Sequence, residues 1–250
     1  MTDNTNRQER KIALVIGAGD SLGGAIARRF AKAGFEVCVG RRNGDKLQPL
    51  VDEITAMGAI AHPFAIDARR EELVIELFDT IERDIGPLEV VVFNPGANIR
   101  FSILETTSRK FYKVWEMACF AGFLTGREAA RRMAPRKRGA IFFTGATASV
   151  RGGVGFAAFS SAKMGLRALA QSMARELGPM GIHVAHVIID GAIDTPWIRE
   201  MFPDMVASKP ADGLLDPDDI AETYYQLYCQ PRSAWTFETD IRPWCEEWTW

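Results

Sequence analysis

A chain of 250 residues is long enough to bury a sizeable core, and no linker-like or low-complexity run divides it, so the expectation is one α/β domain over 1–250. Its 30 Lys and Arg against 32 Asp and Glu leave a formal net charge of -2, which gives no electrostatic case for a nucleic-acid partner. No apolar run reads as a signal peptide or a membrane span, Cys38, Cys119, Cys229 and Cys245 lack metal-type spacing, and His62, His183 and His186 form no compact motif. These features fit a soluble cytoplasmic protein with reduced cysteines, no membrane partner and no metal site.

The polar start, residues 1–10, reads as a loose segment. Lys11 to Ile16 form a short apolar strand, and Gly17-Ala-Gly-Asp-Ser-Leu-Gly23-Gly24 leads into the helical pattern Ala25, Ile26, Ala27, Phe30, Ala31. A strand, a glycine turn and a helix in that order make an anion site, because glycines allow close backbone approach and the helix start offers unpaired N–H groups. Gly17, Gly19, Ser21, Leu22 and Gly23 are therefore candidate cofactor contacts; a plain tight turn is the competing reading.

The second strand, Glu36 to Val39, ends at Gly40-Arg41-Arg42. An acidic residue there would receive two ribose hydroxyls, whereas Arg41 and Arg42 can donate paired hydrogen bonds to a 2′-phosphate, which favours NADP(H) over NAD(H). Solvated surface arginines are the alternative. Asp67, after the apolar Ala61-Phe64-Ile66 region, can accept from an adenine amine or cap the helix expected over Glu71 to Ile81. The rest alternates: strand Glu89 to Phe93, helix Phe111 to Met133, strand Ala140 to Thr144, helix Phe156 to Leu177, strand Ile182 to Ile189. Such alternation predicts a parallel sheet covered on both faces, with ligand crevices at the strand C-terminal ends.

With these elements in place the chain resembles the short-chain dehydrogenase/reductase family. The likeness runs from the glycine loop through Asp67, Phe93-Asn94-Pro95-Gly96, Phe159-Ser160-Ser161-Ala162-Lys163 and the Asp190-to-Thr195 turn, and is weakest in the C-terminal tail. It implies a Rossmann-type, doubly wound, three-layer α/β/α fold, an NAD(P)(H) cofactor touched by Asn94, Gly96, Lys163 and Thr195, hydride transfer to or from a small molecule, and a homodimer or homotetramer. Departures from the family pattern follow the same positions. Ser21 stands for the middle loop glycine, Cys119 for the helix asparagine that organises a relay water, Ala146 for the substrate-orienting serine, and Phe159 for the general-acid tyrosine. Only Lys163 of the catalytic set remains, and the i,i+4 spacing puts it on one helix face with Phe159.

Losing an acid typically costs roughly 10²–10⁴-fold in carbonyl chemistry. Thr144, Thr147, Ser149, Ser160 and Ser161 offer hydroxyls, more plausibly spent on backbone groups. Asp190 is the candidate for a rebuilt site, since a carboxyl with a raised pKa can act as an acid or attract a cation, although a turn-stabilising or capping role is an equal reading. Residues 190–215 read as a substrate-side lid, with Ala146, Phe159 and Trp197 walling the pocket and Ile198, Met201, Phe202 and Met205 extending the apolar wall or simply packing as core. The aromatic tail, 231–250, either forms an interface or packs on its own domain, with a last strand around Phe237 to Arg242 that Pro243 should end. Two functions follow: an NADP(H)-dependent oxidoreductase with altered proton supply, reducing an imine or iminium, a conjugated system or a carbonyl, or a cofactor-binding regulator or scaffold without turnover.

Overall fold

A parallel sheet covered on both faces demands strands that are apolar along their whole length. Ile12–Ile16 (β1) meets that demand, and Ile182–Ile189 (β6) meets it at every position but His183 and His186, which are buried with the rest. The computed structural model describes residues 10–96 and 98–248, so the loose start expected for 1–10 lies, apart from Arg10, outside the described residues.

Between those strands the chain runs α1 (Leu22–Lys32), β2 (Glu36–Arg41), α2 (Gln48–Ala56), β3 (Ala61–Ala65), α3 (Glu71–Thr80) and β4 (Leu88–Phe93). It continues with α4 (Ser108–Trp115), α5 (Ala121–Met133), β5 (Gly139–Thr144) and α6 (Ala157–Leu177). After β6 come α7 (Pro196–Met201), α8 (Pro203–Ser208), α9 (Pro217–Cys229) and β7 (Glu238–Ile241). All described strands pair in parallel in the order β3-β2-β1-β4-β5-β6-β7. This is a Rossmann-type three-layer α/β/α fold. One face of the sheet buries Phe30, Leu47, Ile54 and Tyr224 from α1, α2, α9 and the turn before α2. The other buries Phe78, Leu124 and Leu166 from α3, α5 and α6.

The order reverses between β1 and β4, whose following chains depart to opposite sides and leave a crevice at their C-terminal ends. Register lines up the other ends on the same edge, with Ile16 beside Gly40 and Phe93, Thr144 beside Val187, and Ile189 beside Ile241.

Two elements differ in detail from the periodicity. The helix expected over Phe111 to Met133 starts at Ser108 and is interrupted by one π turn, Glu116–Phe120, whose extra residue rotates α5 relative to α4 and carries Cys119 into the interior. Asp67 does not cap α3, whose cap position is Arg70; its carboxylate binds Arg69 instead.

The tail joins its own sheet. Trp235 stacks on His183 with ring centroids 4.9 Å apart, β7 adds to the β6 edge, and Arg167 of α6 forks onto Glu238 with two 2.6 Å bonds. His186 Nδ1 reaches the same carboxylate at 3.0 Å. Trp250 lies outside the described residues. Among the described residues no helix is long and apolar enough to cross a membrane, and no group of three or more His, Cys, Asp or Glu is placed to hold a metal.

The Glu238 cluster sets an acid limit on stability. Burial would raise the Glu238 carboxyl, but the hydrogen bonds from Arg167 and His186 outweigh it and bring it down to about 2. His186 is pushed below its ordinary 6.5, chiefly by burial. The stability owed to Glu238 is complete above the ordinary carboxyl value of 4.5 and is lost as pH falls toward about 2. His186 adds a loss that begins as pH drops through 6.5, where the unfolded chain takes up the proton more readily. The thermal midpoint should therefore decline below pH 6.5. Glu238→Gln should lower it at pH 7 yet flatten its slope below pH 4.5; parallel midpoint curves for the two proteins would refute this assignment.

Candidate functional site

The crevice begins where Gly17 turns the chain out of β1 at φ +84, a left-handed conformation that favours glycine. Its N–H and that of Ala18 donate to Gly40 O at 2.8 and 3.1 Å, tying the loop to the end of β2. Asn94, just past β4, donates its side-chain amide to Gly17 O at 3.1 Å, so this residue staples the two sides of the switch point together. Helix α1 comes so close that a Cβ on Gly23 would lie 2.1 Å from Gly17 O. By contrast, a Cβ on Gly19 or Gly96 would meet no atom within 4 Å, which leaves open backbone facing the crevice. Ser21 sits at the α1 cap position without a side-chain cap bond. The first-turn N–H groups of α1 remain without helical partners, as an anion cradle requires.

Two adjoining cavities share Gly17, Gly19 and Gly96. The smaller, of about 530 Å³, is lined by Arg41, Arg42, Lys46 and Asp67. Arg41 donates to Asp20 of the glycine loop at 2.9 Å and to Lys46 O at 3.3 Å. Arg42 has no carboxylate partner within ion-pair distance among the described residues. The Asp67 carboxyl is held down, first by the Arg69 guanidinium and against the effect of burial. Lys46 was not singled out in the sequence, although it follows the Arg41-Arg42 pair by only four residues.

The larger cavity, of about 610 Å³, gathers Ser21, Leu22, Gly23, Asn94, Ala146, Phe159, Lys163, Thr195 and Trp197. Thr147, Arg151 and Phe156 join them. Lys163 is 2 % exposed and donates to Thr144 O at 2.7 Å and Pro95 O at 3.3 Å. Burial pushes its ammonium down to about 8. An ammonium has three N–H donors, so one remains for a ligand hydroxyl. One helical turn earlier the Phe159 ring stands 6.0 Å from the Lys163 nitrogen, with no hydroxyl to offer.

The hydroxyls nearby are engaged elsewhere. Thr144 pairs with Tyr224 at 2.6 Å, Ser149 accepts from Ala146 N at 3.1 Å, and Ser160 and Ser161 donate to backbone carbonyls. Thr147 donates to Asp190 at 2.6 Å, and Arg242 approaches the second Asp190 oxygen at 3.2 Å. Asp190 thus lies behind the wall, between the lining residues Ile189 and Gly191, rather than in it. Thr147 is its hydrogen-bond donor, and Arg242 is a close positive charge on its other side. No sequence signal pointed to Arg242, which lies 52 residues away from Asp190. Thr195 accepts from Ile198 N at 3.1 Å and so caps α7. The apolar wall after it stops at Trp197 and Ile198; Met201 and Phe202 are 55 % and 46 % exposed and lie outside the cavity.

The sequence model of the family described as short chain dehydrogenase matches residues 11–205, most of the chain. The chain belongs to that family. Among solved structures, a short-chain dehydrogenase from Rhodopseudomonas palustris is 54% identical with a TM-score of 0.81, covering 94% of this chain and 99% of its own. A variant of actinorhodin polyketide ketoreductase, crystallised with NADPH, is 25% identical with a TM-score of 0.86, covering 94% and 97%. The (21S)-21-acetoxyl-apo-melianone synthase SDR of Melia azedarach is 31% identical over 235 residues, 91% of this chain and 86% of its own.

This short-chain dehydrogenase places its helix start against Gly17 O with no room to spare. Gly23→Ala should therefore cost about 1–3 kcal/mol of stability through overpacking, read from urea unfolding; an unchanged midpoint would contradict the contact.

Proposed function

We propose that this short-chain dehydrogenase is an NADP(H)-dependent reductase of an electrophile that needs no side-chain acid, either an iminium or a conjugated carbonyl compound. The observation that carries the reading is the Phe159 ring beside the Lys163 ammonium, in a cavity where the hydroxyls of Thr144, Thr147 and Ser160 already have partners. On the family pattern Phe159 stands where a tyrosine would deliver the proton and Ala146 where a serine would orient the substrate. The open backbone at Gly19 and Gly96 and the α1 start suit the pyrophosphate, Arg42, Lys46 and Arg41 suit the 2′-phosphate, and Lys163 suits a ribose hydroxyl. The NADPH reported with the actinorhodin ketoreductase relative supports the same cofactor.

NADPH supplies a hydride when bound. Lys163 fixes the ribose, Phe159 and Trp197 keep the pocket apolar, and α7 and α8 serve as the substrate-side lid of one domain that works as a homodimer or homotetramer. With the cofactor bound, an iminium would accept hydride at carbon while its C=N π pair moved to a nitrogen that already carries its proton, and a conjugated carbonyl compound would accept it at the β carbon, with the balancing proton coming from water. A simple ketone leaves an alkoxide, which this wall does not protonate.

NADPH oxidation with matched cyclic imine, enone and ketone panels tests the reading. Turnover should favour the imine or enone over the ketone, and Phe159→Tyr should raise ketone turnover by roughly tenfold or more. Binding of NADPH with no turnover in any panel would favour a regulator or scaffold instead. NADPH affinity should also fall as pH rises through about 8, because the Lys163 amine then keeps only the donors used by Thr144 O and Pro95 O. Lys163→Met should bind about tenfold more weakly at pH 7 and lose that pH dependence.

A further inference from the structure

Thr147 lines the cavity, and the direction of its hydroxyl proton is set by a residue outside it. It donates to Asp190 Oδ1 at 2.6 Å, and a carboxylate offers only acceptor sites, so the hydroxyl proton is committed to Asp190. Toward the cavity the oxygen can therefore offer only a lone pair. The arrangement is braced behind the wall: Asp190 is 3 % exposed, its N–H donates to Ile241 O at 2.9 Å, and Arg242 Nη1 lies 3.2 Å from its second oxygen. Arg242 is held in turn by Asp240 and by the Trp248 ring, 3.4 Å from the guanidinium carbon.

We propose that Thr147 is a specificity-determining contact that receives an N–H from the substrate, so that of the two electrophile classes proposed above the site takes the iminium. The inference rests on the reductase reading. A carbonyl oxygen placed at Thr147 would set lone pairs against lone pairs and leave a desolvated acceptor unpaired. An iminium N–H donates there, with Asp190 Oδ1 one hydrogen bond further on holding the hydroxyl proton away. The neighbouring Lys163 ammonium is turned to the Thr144 and Pro95 carbonyls. Asp190 and Arg242 do not line the cavity and act through Thr147 as positioning residues.

The test is calorimetric titration with two probes of one shape, 2-phenylpiperidinium and 2-phenyltetrahydropyran, each run with and without saturating NADP⁺. The wild type should bind the ammonium at least about tenfold more tightly than the ether, the range of a hydrogen bond from a charged donor. Thr147→Val should lose that preference and Thr147→Ser should keep it. Asp190→Asn should reduce it as well, since the amide can donate to Thr147 and release the hydroxyl proton toward the cavity. Equal binding of the two probes to wild type, or a preference that survives in Thr147→Val, overturns the inference. Failure of NADP⁺ to bind defeats the reductase reading alone, because the probe pair without cofactor still reads Thr147.

Discussion

A buried ammonium must exchange its water for fixed oxygens or give up its charge, and Lys163 makes that exchange at the ends of two adjacent strands. Pro95 O follows β4 and Thr144 O ends β5, so a single side chain fixes α6 to the sheet edge at the crevice. One turn further along α6, Arg167 does the same through Glu238 on β7. Between the two tethers lies His186, whose ring occupies the space that a Cβ on Gly145 would need, at 2.5 Å. Gly145 therefore lets the histidine pass beneath the cavity wall. The position of Phe159 one turn before Lys163 follows from the same tethering, which sets its ring 6.0 Å from the ammonium.

The distribution of counter-charges separates structure from binding. Arg29, Arg69, Arg136, Arg138 and Arg199 each meet a carboxylate on the surface or at an element boundary. Arg42, Lys46 and Arg151 face the two cavities with no carboxylate within ion-pair distance among the described residues. Exposed ion pairs add little stability, so leaving these cations without partners costs the fold almost nothing. It leaves the smaller cavity positive at Arg42 and Lys46, whereas in the larger one Arg151 shares the lining with the apolar Phe156, Phe159 and Trp197.

Much of this architecture was legible in the sequence because it is governed by local pattern. Buried parallel strands read as unbroken apolar runs, and the Ile182–Ile189 strand has the bounds that its run suggested. The glycine loop was legible for a similar reason, since Gly17 and Gly23 answer to backbone conformation and close approach. Side-chain pairing was much less legible. Asp67 reads equally well as a cap or an adenine acceptor until Arg69, two residues on, is seen to hold it. The lid periodicity that placed Met201 and Phe202 in the wall fails because α7 spans only Pro196–Met201, too short to bring more than Trp197 and Ile198 to the cavity. The π turn carrying Cys119 has no period of its own in the sequence.

The tail shows why the least family-like segment matters to the site. A carboxylate as buried as Asp190 needs a partner, since leaving one charge uncompensated in the interior is strongly destabilising. Arg242 supplies it from the far side of β7, and Trp248 covers the guanidinium face, which shields that pair from solvent. The same segment reaches the chain after α8, with Lys209 bound to Glu246 at 2.8 Å and Trp244 donating to Ala211 O at 3.1 Å. Asp190 and the tail are thus joined by a charge pair as well as by the Asp190 N–H bond to Ile241 O. Because Thr147 donates to Asp190, a cavity-lining residue is tied to partners more than 40 positions downstream, beyond the reach of any local motif.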